Sequence, residues 1–175
     1  MKKIIAFAGS TSSTSINKQL VIYTASLLQN VETKILDLND YPLPVFSVDL
    51  EKNGFPIEVS MFLDQLKKAD GFIVSLAEHN GNVTAAFKNL LDWTSRMELK
   101  MFFEKPMLLM STCNGARAAK LAFEYGQMRF PRHGANIVST FSLPEFKDNF
   151  SDGKVVNEVL NDELKEAINS FQNSL

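Results

Sequence analysis

The sequence predicts an α/β fold in which a parallel, five-stranded sheet lies between two layers of helices. Runs of apolar residues alternate along the chain with segments in which apolar residues recur at helical spacing. The runs are apolar nearly throughout, which is typical of strands that helices cover on both faces. Strands and helices that alternate in this way, joined by right-handed crossovers, form a three-layer, doubly wound sandwich.

The chain length predicts a single domain that covers residues 1–175. With 175 residues and 45% hydrophobic content, the chain can bury one well-packed core and has little length left for a second. No repeat, low-complexity tract or linker interrupts the alternation of elements.

The predicted strands are mostly continuous runs of Val, Ile, Leu, Phe and Met. They cover residues 3–8, 32–38, 71–76, 106–112 and 135–142. Between them, the predicted helices carry apolar stripes with a helical period. The stripes consist of Ile16, Leu20, Tyr23 and Leu27; Val59, Phe62, Leu63 and Leu66; Val83, Phe87, Leu90 and Leu91; and, after the last strand, Val156, Leu160, Leu164, Ile168 and Phe171. A further helix spans residues 116–130.

Composition and charge exclude several classes of function. A net charge of −2 without a basic cluster argues against a nucleic-acid partner. The start of the chain, "MKKIIAFAGS", is too short for a signal-peptide core and falls far short of the roughly 20 apolar residues that a membrane span needs. The single cysteine, Cys113, and the two histidines, His79 and His133, fit neither an internal disulfide nor a zinc site. We therefore expect a cytoplasmic protein without a metal ion and without a membrane partner.

Three polar loops contain the candidate functional residues. In a doubly wound sheet, ligands bind outside the carboxyl ends of the strands, near the switch in strand order. The loops after the first, third and fourth predicted strands read "GSTSSTSIN", "AEHNGN" and "STCNGA". We expect the site to lie where these three loops meet.

The first loop has the features of a phosphate-binding loop. It opens a helix, whose first N–H groups and positive dipole end attract an anion. The hydroxyl groups of Ser10, Ser12, Ser13 and Ser15 add donors near the same point. A Walker A motif and the dinucleotide fingerprint are both absent, because Gly9 is the only glycine in the loop. The alternative is that these residues form only a solvated turn and a helix cap.

The same residues resemble the NADPH-dependent FMN reductase family, which has a flavodoxin-like fold. The resemblance covers nearly the whole chain and also includes "LPEF" near its end. Its most specific part follows the third strand, where the family typically reads Pro-Glu-Tyr-Asn and then Leu-Lys-Asn-x-x-Asp-Trp. The corresponding residues are Ala77, Glu78, His79 and Asn80, and then Phe87, Lys88, Asn89, Asp92 and Trp93. The resemblance implies the strand order 2-1-3-4-5 and one FMN per subunit at the carboxyl edge of the sheet.

The resemblance also implies which residues bind FMN. Ser10, Ser15 and Asn17 would hold the phosphate together with backbone N–H groups, and residues 78–80 would line the isoalloxazine ring. Ser111 and the turn through residues 113–115 would flank the ribityl chain and the other edge of the ring. The full predicted set is Ser10, Ser12, Ser15, Ile16, Asn17, Ala77, Glu78, His79, Asn80, Gly81, Ser111, Thr112, Cys113, Asn114 and Gly115.

The chain departs from the family pattern within each loop. Members commonly carry an arginine where this chain has Ser12, so that Lys18 or another donor would have to replace it. Ala77 and His79 stand where the family has Pro and Tyr, and Arg117 stands where a second glycine is common. Arg117 and Arg132 are the candidate contacts for the 2′-phosphate of NADPH.

Some of these residues also have simpler interpretations. His79 fits a solvated loop histidine as well as a residue beside the ring. Cys113 fits a small buried apolar residue, because free cysteines are among the most buried residues. Trp93 fits a core or subunit contact better than a stacking partner for a cofactor.

The activity that the resemblance implies is the transfer of electrons from NADPH or NADH through FMN to a small-molecule acceptor. The acceptor could be a quinone, an azo compound, a metal oxyanion or free flavin. Hydride transfer to a flavin needs no protein acid or base, so that no catalytic residue is predicted. An electron carrier without nicotinamide oxidation and a flavin-free relative are the alternatives. Because family members are often dimers or tetramers, we expect a homodimer or homotetramer.

Overall fold

The computed structural model describes residues 1–175 and contains a central sheet in which all neighbouring strands are parallel. The strands of the chain are β1 (Lys2–Ala8), β2 (Val31–Leu36), β3 (Gly71–Leu76), β4 (Glu78–His79), β5 (Asn82–Val83), β6 (Lys105–Thr112), β7 (Ala135–Leu143), β8 (Phe150–Ser151) and β9 (Lys154–Val155). The central sheet has the order β2-β1-β3-β6-β7. Because these are the five strands expected from the sequence, the order 2-1-3-4-5 is confirmed.

Helices cover both faces of the sheet. They are α1 (Ile16–Ser26), α2 (Val48–Glu51), α3 (Ile57–Lys67), α4 (Ala85–Met97), α5 (Lys120–Arg129), α6 (Phe146–Asn149) and α7 (Glu158–Gln172). Buried residues of α1 and α7 pack on one face, and those of α3, α4 and α5 pack on the other. The three-layer flavodoxin-like sandwich is therefore confirmed. None of the helices has the length and apolar composition that crossing a bilayer requires.

Several element boundaries differ from the sequence prediction for identifiable reasons. Strand β2 ends at Leu36, because the Asp37 side chain accepts a hydrogen bond from the Asn39 N–H and starts a short 3-10 turn. Helix α5 begins at Lys120 and not at residue 116, since Ala118 and Ala119 adopt left-handed backbone angles, with φ of 49° and 58°. The two hairpins β4–β5 and β8–β9 and the short helices α2 and α6 were not predicted.

The core consists of two apolar layers separated by the sheet. Phe7, Phe62 and Trp93 lie in the layer beneath α3, α4 and α5. Trp93 is 1% exposed, so that its interpretation as a core residue is confirmed. Leu20 and Phe171 belong to the opposite layer, beneath α1 and α7. Burial on both faces explains why the predicted strands lack an alternating pattern.

One buried side chain joins the first turn of α1 to two strands. Asn17 is 2% exposed, and its Oδ1 accepts hydrogen bonds from the hydroxyl of Ser75 at 2.7 Å and from the N–H of Thr112 at 3.2 Å. Its Nδ2 donates to the carbonyl of Thr112 at 3.1 Å. Ser75 lies near the carboxyl end of β3 and Thr112 ends β6. The Asn17 side chain therefore fixes the start of α1 against the carboxyl ends of both strands.

Replacement of Asn17 by alanine should lower the free energy of unfolding by about 2–3 kcal/mol, because it leaves buried donors and acceptors without partners. Urea denaturation measures this loss. The matched control is Asn161→Ala, which removes only the acceptor of the Tyr23 hydroxyl, between α7 and the same helix α1, and should cost about 0.5–1.5 kcal/mol. Equal losses in the two variants would contradict a special role for Asn17.

Candidate active site

The three polar loops meet at the carboxyl edge of the sheet around a cavity of about 360 Å³. This volume lies within the range of small-molecule sites, roughly 300–1,000 Å³. The lining residues come from the loops after β1, β3 and β6, as the topology of the sheet requires. They are Ser10, Ser12, Thr14, Ser15, Ile16, Asn17, Ala77, Glu78, His79, Thr112, Cys113 and Asn114.

The start of α1 presents free hydrogen-bond donors to this cavity. Ser15 caps the helix, and its hydroxyl oxygen accepts from the N–H of Lys18 at 3.2 Å. The backbone N–H groups of Ile16 and Asn17 have no partner within the protein. Because a helix start also carries a positive partial charge, these N–H groups are suited to an anion such as a phosphate.

Hydroxyl groups surround these free N–H groups. The hydroxyl oxygens of Ser10 and Ser12 accept hydrogen bonds from the N–H groups of Ser12 and Thr14, at 3.2 and 3.3 Å. As an acceptor, Ser10 keeps its hydroxyl proton available for donation, and the Ser12 and Thr14 hydroxyls, which lie 3.4 Å apart and bond each other, together leave one proton free. Thr14 lines the cavity but was not predicted, whereas Ser13, which was predicted to add a donor, is exposed and does not line it. The sequence shows the run of hydroxyl residues but not which members face inward.

The Asn17 side chain is less free than the resemblance implied. It lines the cavity, but its oxygen and one of its N–H groups are used by Ser75 and Thr112. Only one side-chain N–H remains for a ligand. Asn17 thus serves the site chiefly by placing the free backbone donors.

Lys18 does not take the place of the family arginine. Its Nζ forms a short ion pair with the carboxylate of Asp37, and this contact holds the pKa of Asp37 below its usual range. Asp37 also accepts from the backbone and side chain of Asn39, and Asn39 in turn donates to the carbonyl of Thr11 at 3.1 Å. Lys18 therefore stabilises the first loop from outside the cavity, and the donors of this loop that line the cavity are uncharged.

The second loop is a tight hairpin whose tip lies outside the cavity. Asn80 and Gly81 form the turn between β4 and β5 with φ of 51° and 74°, as Asn-Gly turns do. Asn80 is exposed, and Gly81 lies against the side chain of Leu121. Neither residue lines the cavity, so the prediction that both belong to the site is not confirmed. His79 is exposed at the cavity wall, and no group of the protein bonds its ring nitrogens.

The third loop places Cys113 on the cavity wall, whereas Ser111 and Gly115 do not line it. Cys113 is partly exposed, and its Sγ accepts from the N–H groups of Gly115 at 3.4 Å and Ala119 at 3.2 Å. Its interpretation as a small buried residue is therefore wrong. Ser111 is fully buried, and its hydroxyl bonds the carbonyl of Ala118 at 2.6 Å, because its side chain lies on the opposite side of the strand from that of Thr112.

The segment "LPEF" supports the third loop from outside the cavity. The N–H of Glu145 donates to the carbonyl of Gly115 at 3.2 Å, and the N–H of Phe146 donates to that of Cys113 at 3.0 Å. Arg117 and Arg132 are exposed and do not line the cavity. The cavity thus combines neutral anion donors on one side with two loop walls on the other.

Comparison with known proteins agrees with this geometry. Residues 2–148 match the family described as NADPH-dependent FMN reductase. The NADPH:quinone oxidoreductase of Arabidopsis thaliana is 28% identical over 97% of this chain and 90% of its own length. A quinone reductase of Escherichia coli is 26% identical over 65% of this chain and 61% of its own length.

A solved structure supports the fold. The flavoenzyme NAD(P)H:(acceptor) oxidoreductase FerB from Paracoccus denitrificans is 22% identical and covers 99% of both chains, with a TM-score of 0.76. At this identity the likeness concerns the fold alone. The family match, by contrast, spans most of the chain and includes all three loops that form the cavity. The chain therefore belongs to the NADPH-dependent FMN reductase family of oxidoreductases.

Proposed function

We propose that this protein binds FMN in the cavity and uses it to transfer electrons from NADPH or NADH to a small-molecule acceptor. The observation that carries the proposal is the start of α1, where the N–H groups of Ile16 and Asn17 have no partner and hydroxyl groups surround them. A phosphate is the anion that such a helix start binds most readily. Family membership supports FMN as its carrier.

The proposed contacts divide between the two sides of the cavity. Ser10, Ser12, Thr14 and Ser15 would donate to the phosphate together with the free N–H groups. Residues 77–79 and 112–114 line the other side, where Ala77 and His79 on one wall and residues 112–114 on the other would contact the ribityl chain and the ring. Bound FMN would supply the redox chemistry, accepting a hydride from the nicotinamide and passing electrons to the acceptor in a ping-pong scheme. The protein residues would bind and orient the ring, and none of them has to act as an acid or base.

A quinone is the acceptor that we favour. Two of the relatives described above bear quinone reductase names, which supports this class without excluding an azo compound, a metal oxyanion or free flavin. Assembly into a homodimer or homotetramer and a cytoplasmic location stay predictions.

The first test is an absorbance spectrum after incubation with excess FMN and desalting, followed by anaerobic addition of NADPH or NADH. We expect retained flavin that bleaches with one of the two donors and recovers its colour when a quinone is added. Comparison of recovery rates with an azo dye, chromate and free FMN ranks the acceptors. Retained flavin that does not bleach would favour the electron carrier, and absence of flavin would favour the flavin-free alternative.

Ser12→Arg should strengthen FMN binding about ten- to a hundredfold, because hydrogen bonds to charged groups are worth about 1.5–3 kcal/mol. No lysine or arginine lines the cavity to make such a bond already. Quenching of flavin fluorescence measures the dissociation constant. The matched control is Ser13→Arg, which adds the same charge one residue away on an exposed side chain that does not line the cavity. An equal gain in both variants would indicate a general charge effect and would contradict direct contact at position 12.

A further inference from the structure

The start of α5 differs from the start of α1 in that all its N–H groups have partners. The N–H of Lys120 donates to the carbonyl of Arg117 at 3.0 Å, and that of Ala119 donates to the Sγ of Cys113 at 3.2 Å. The next two N–H groups of the helix donate to a side chain from the second loop. Glu78 Oε2 accepts from the N–H groups of Leu121 at 2.8 Å and Ala122 at 3.1 Å. This helix start therefore offers no free donor to an anion.

The Glu78 carboxylate replaces a cap that α5 lacks. Residue 119, at the cap position, is an alanine with left-handed backbone angles and no side-chain hydrogen bond. Orphan N–H groups at a helix start need an acceptor, and a carboxylate there is also favoured by the helix dipole. Glu78 supplies both the acceptor and the negative charge, from the hairpin β4–β5, which is not part of the central sheet.

These contacts connect the two walls of the cavity through one helix. Glu78 belongs to the wall formed by residues 77–79, and Cys113 belongs to the wall formed by residues 112–114. Each side chain bonds the first turn of α5, Glu78 through Oε2 and Cys113 through Sγ. We call Glu78, Cys113 and residues 119–122 the α5 clamp. No hydrogen bond joins residues 78–83 directly to residues 112–115, so the polar contacts between the two walls run through the start of α5.

We propose that Glu78 is a positioning residue, which acts through the α5 clamp to set the gap between the walls that receive the flavin ring. This inference rests on the proposed function, because it assigns the ring to that gap. It gives Glu78 a role different from the direct ring contact that the sequence suggested. It also separates ring binding, which depends on the α5 clamp, from phosphate binding at the start of α1.

The test compares three ligands in the apoprotein. Glu78→Ala should weaken the binding of riboflavin and of FMN by the same factor, about tenfold, because it removes an acceptor from two N–H groups. The affinity for inorganic phosphate, measured by competition with FMN, should not change. Glu78→Gln keeps an acceptor oxygen and should restore most of the loss. The control is Glu124→Ala, which removes a carboxylate from the exposed side of the same helix and should leave all three affinities unchanged.

Hydrogen exchange provides a second measurement that needs no flavin. In the apoprotein, the amides of Leu121 and Ala122 should exchange faster in Glu78→Ala and at the original rate in Glu124→Ala. If Glu78→Ala fails to fold, Cys113→Ala tests the other end of the α5 clamp. It should weaken riboflavin and FMN by the same factor, leave the phosphate affinity unchanged and speed the exchange of the Ala119 amide, whose acceptor it removes.

The outcomes separate the two proposals. Unchanged riboflavin affinity in Glu78→Ala, or a parallel loss of phosphate affinity, would overturn the positioning role while leaving FMN binding by the wild-type protein intact. Wild-type protein that binds no flavin would overturn the proposed function and, with it, the role of the α5 clamp in ring binding.

Discussion

The site depends first on the hydrogen bonds of one buried amide, that of Asn17. A helix start can bind an anion only if its free N–H groups point where the rest of the ligand can also be held. Asn17 meets this requirement because it bonds Ser75 of β3 and Thr112 of β6, the strands whose loops form the other walls. Thr84 connects the first loop to α4 in a similar way, since its hydroxyl caps α4 and donates to the carbonyl of Gly9 at 2.8 Å. The first loop is thus held to the elements on both sides of it.

The starts of α1 and α5 have opposite hydrogen-bonding arrangements. At α1, the cap Ser15 satisfies one N–H group and leaves the preceding two free, so that the helix start can receive an external anion. At α5, the Glu78 carboxylate and the Cys113 sulfur take the N–H groups of the first turn. A carboxylate of the protein thereby occupies the place that a second anion would need. The start of α1 can therefore receive an external anion, whereas the start of α5 has no free donor for one.

The sequence allows the architecture and most of the cavity to be predicted, but not the internal bonding of the loops. Continuous apolar runs indicate a covered parallel sheet, and a sheet of this topology brings the three loops together at one edge. Ser111 and Thr112 are adjacent in sequence, so that only the register of β6 decides which of them reaches the cavity. The left-handed angles of Ala118 and Ala119 are unexpected for alanine, and they displace the start of α5. The Asn-Gly pair at residues 80 and 81 is a recognisable hairpin signal, which could have excluded both residues from the cavity wall. The contact between Glu78 and α5 joins distant parts of the chain and has no local signal.

Everything proposed for the cavity requires that the free N–H groups at the start of α1 receive the phosphate of FMN. The most direct measurement is an amide NMR titration of isotope-labelled apoprotein, first with inorganic phosphate and then with FMN. We expect both ligands to shift the amides of Ile16 and Asn17 downfield, as new hydrogen bonds do, and only FMN to shift residues 77–79 and 112–114 as well. Shifts that leave Ile16 and Asn17 unchanged at saturating FMN would contradict it, because the phosphate would then be bound elsewhere or not at all.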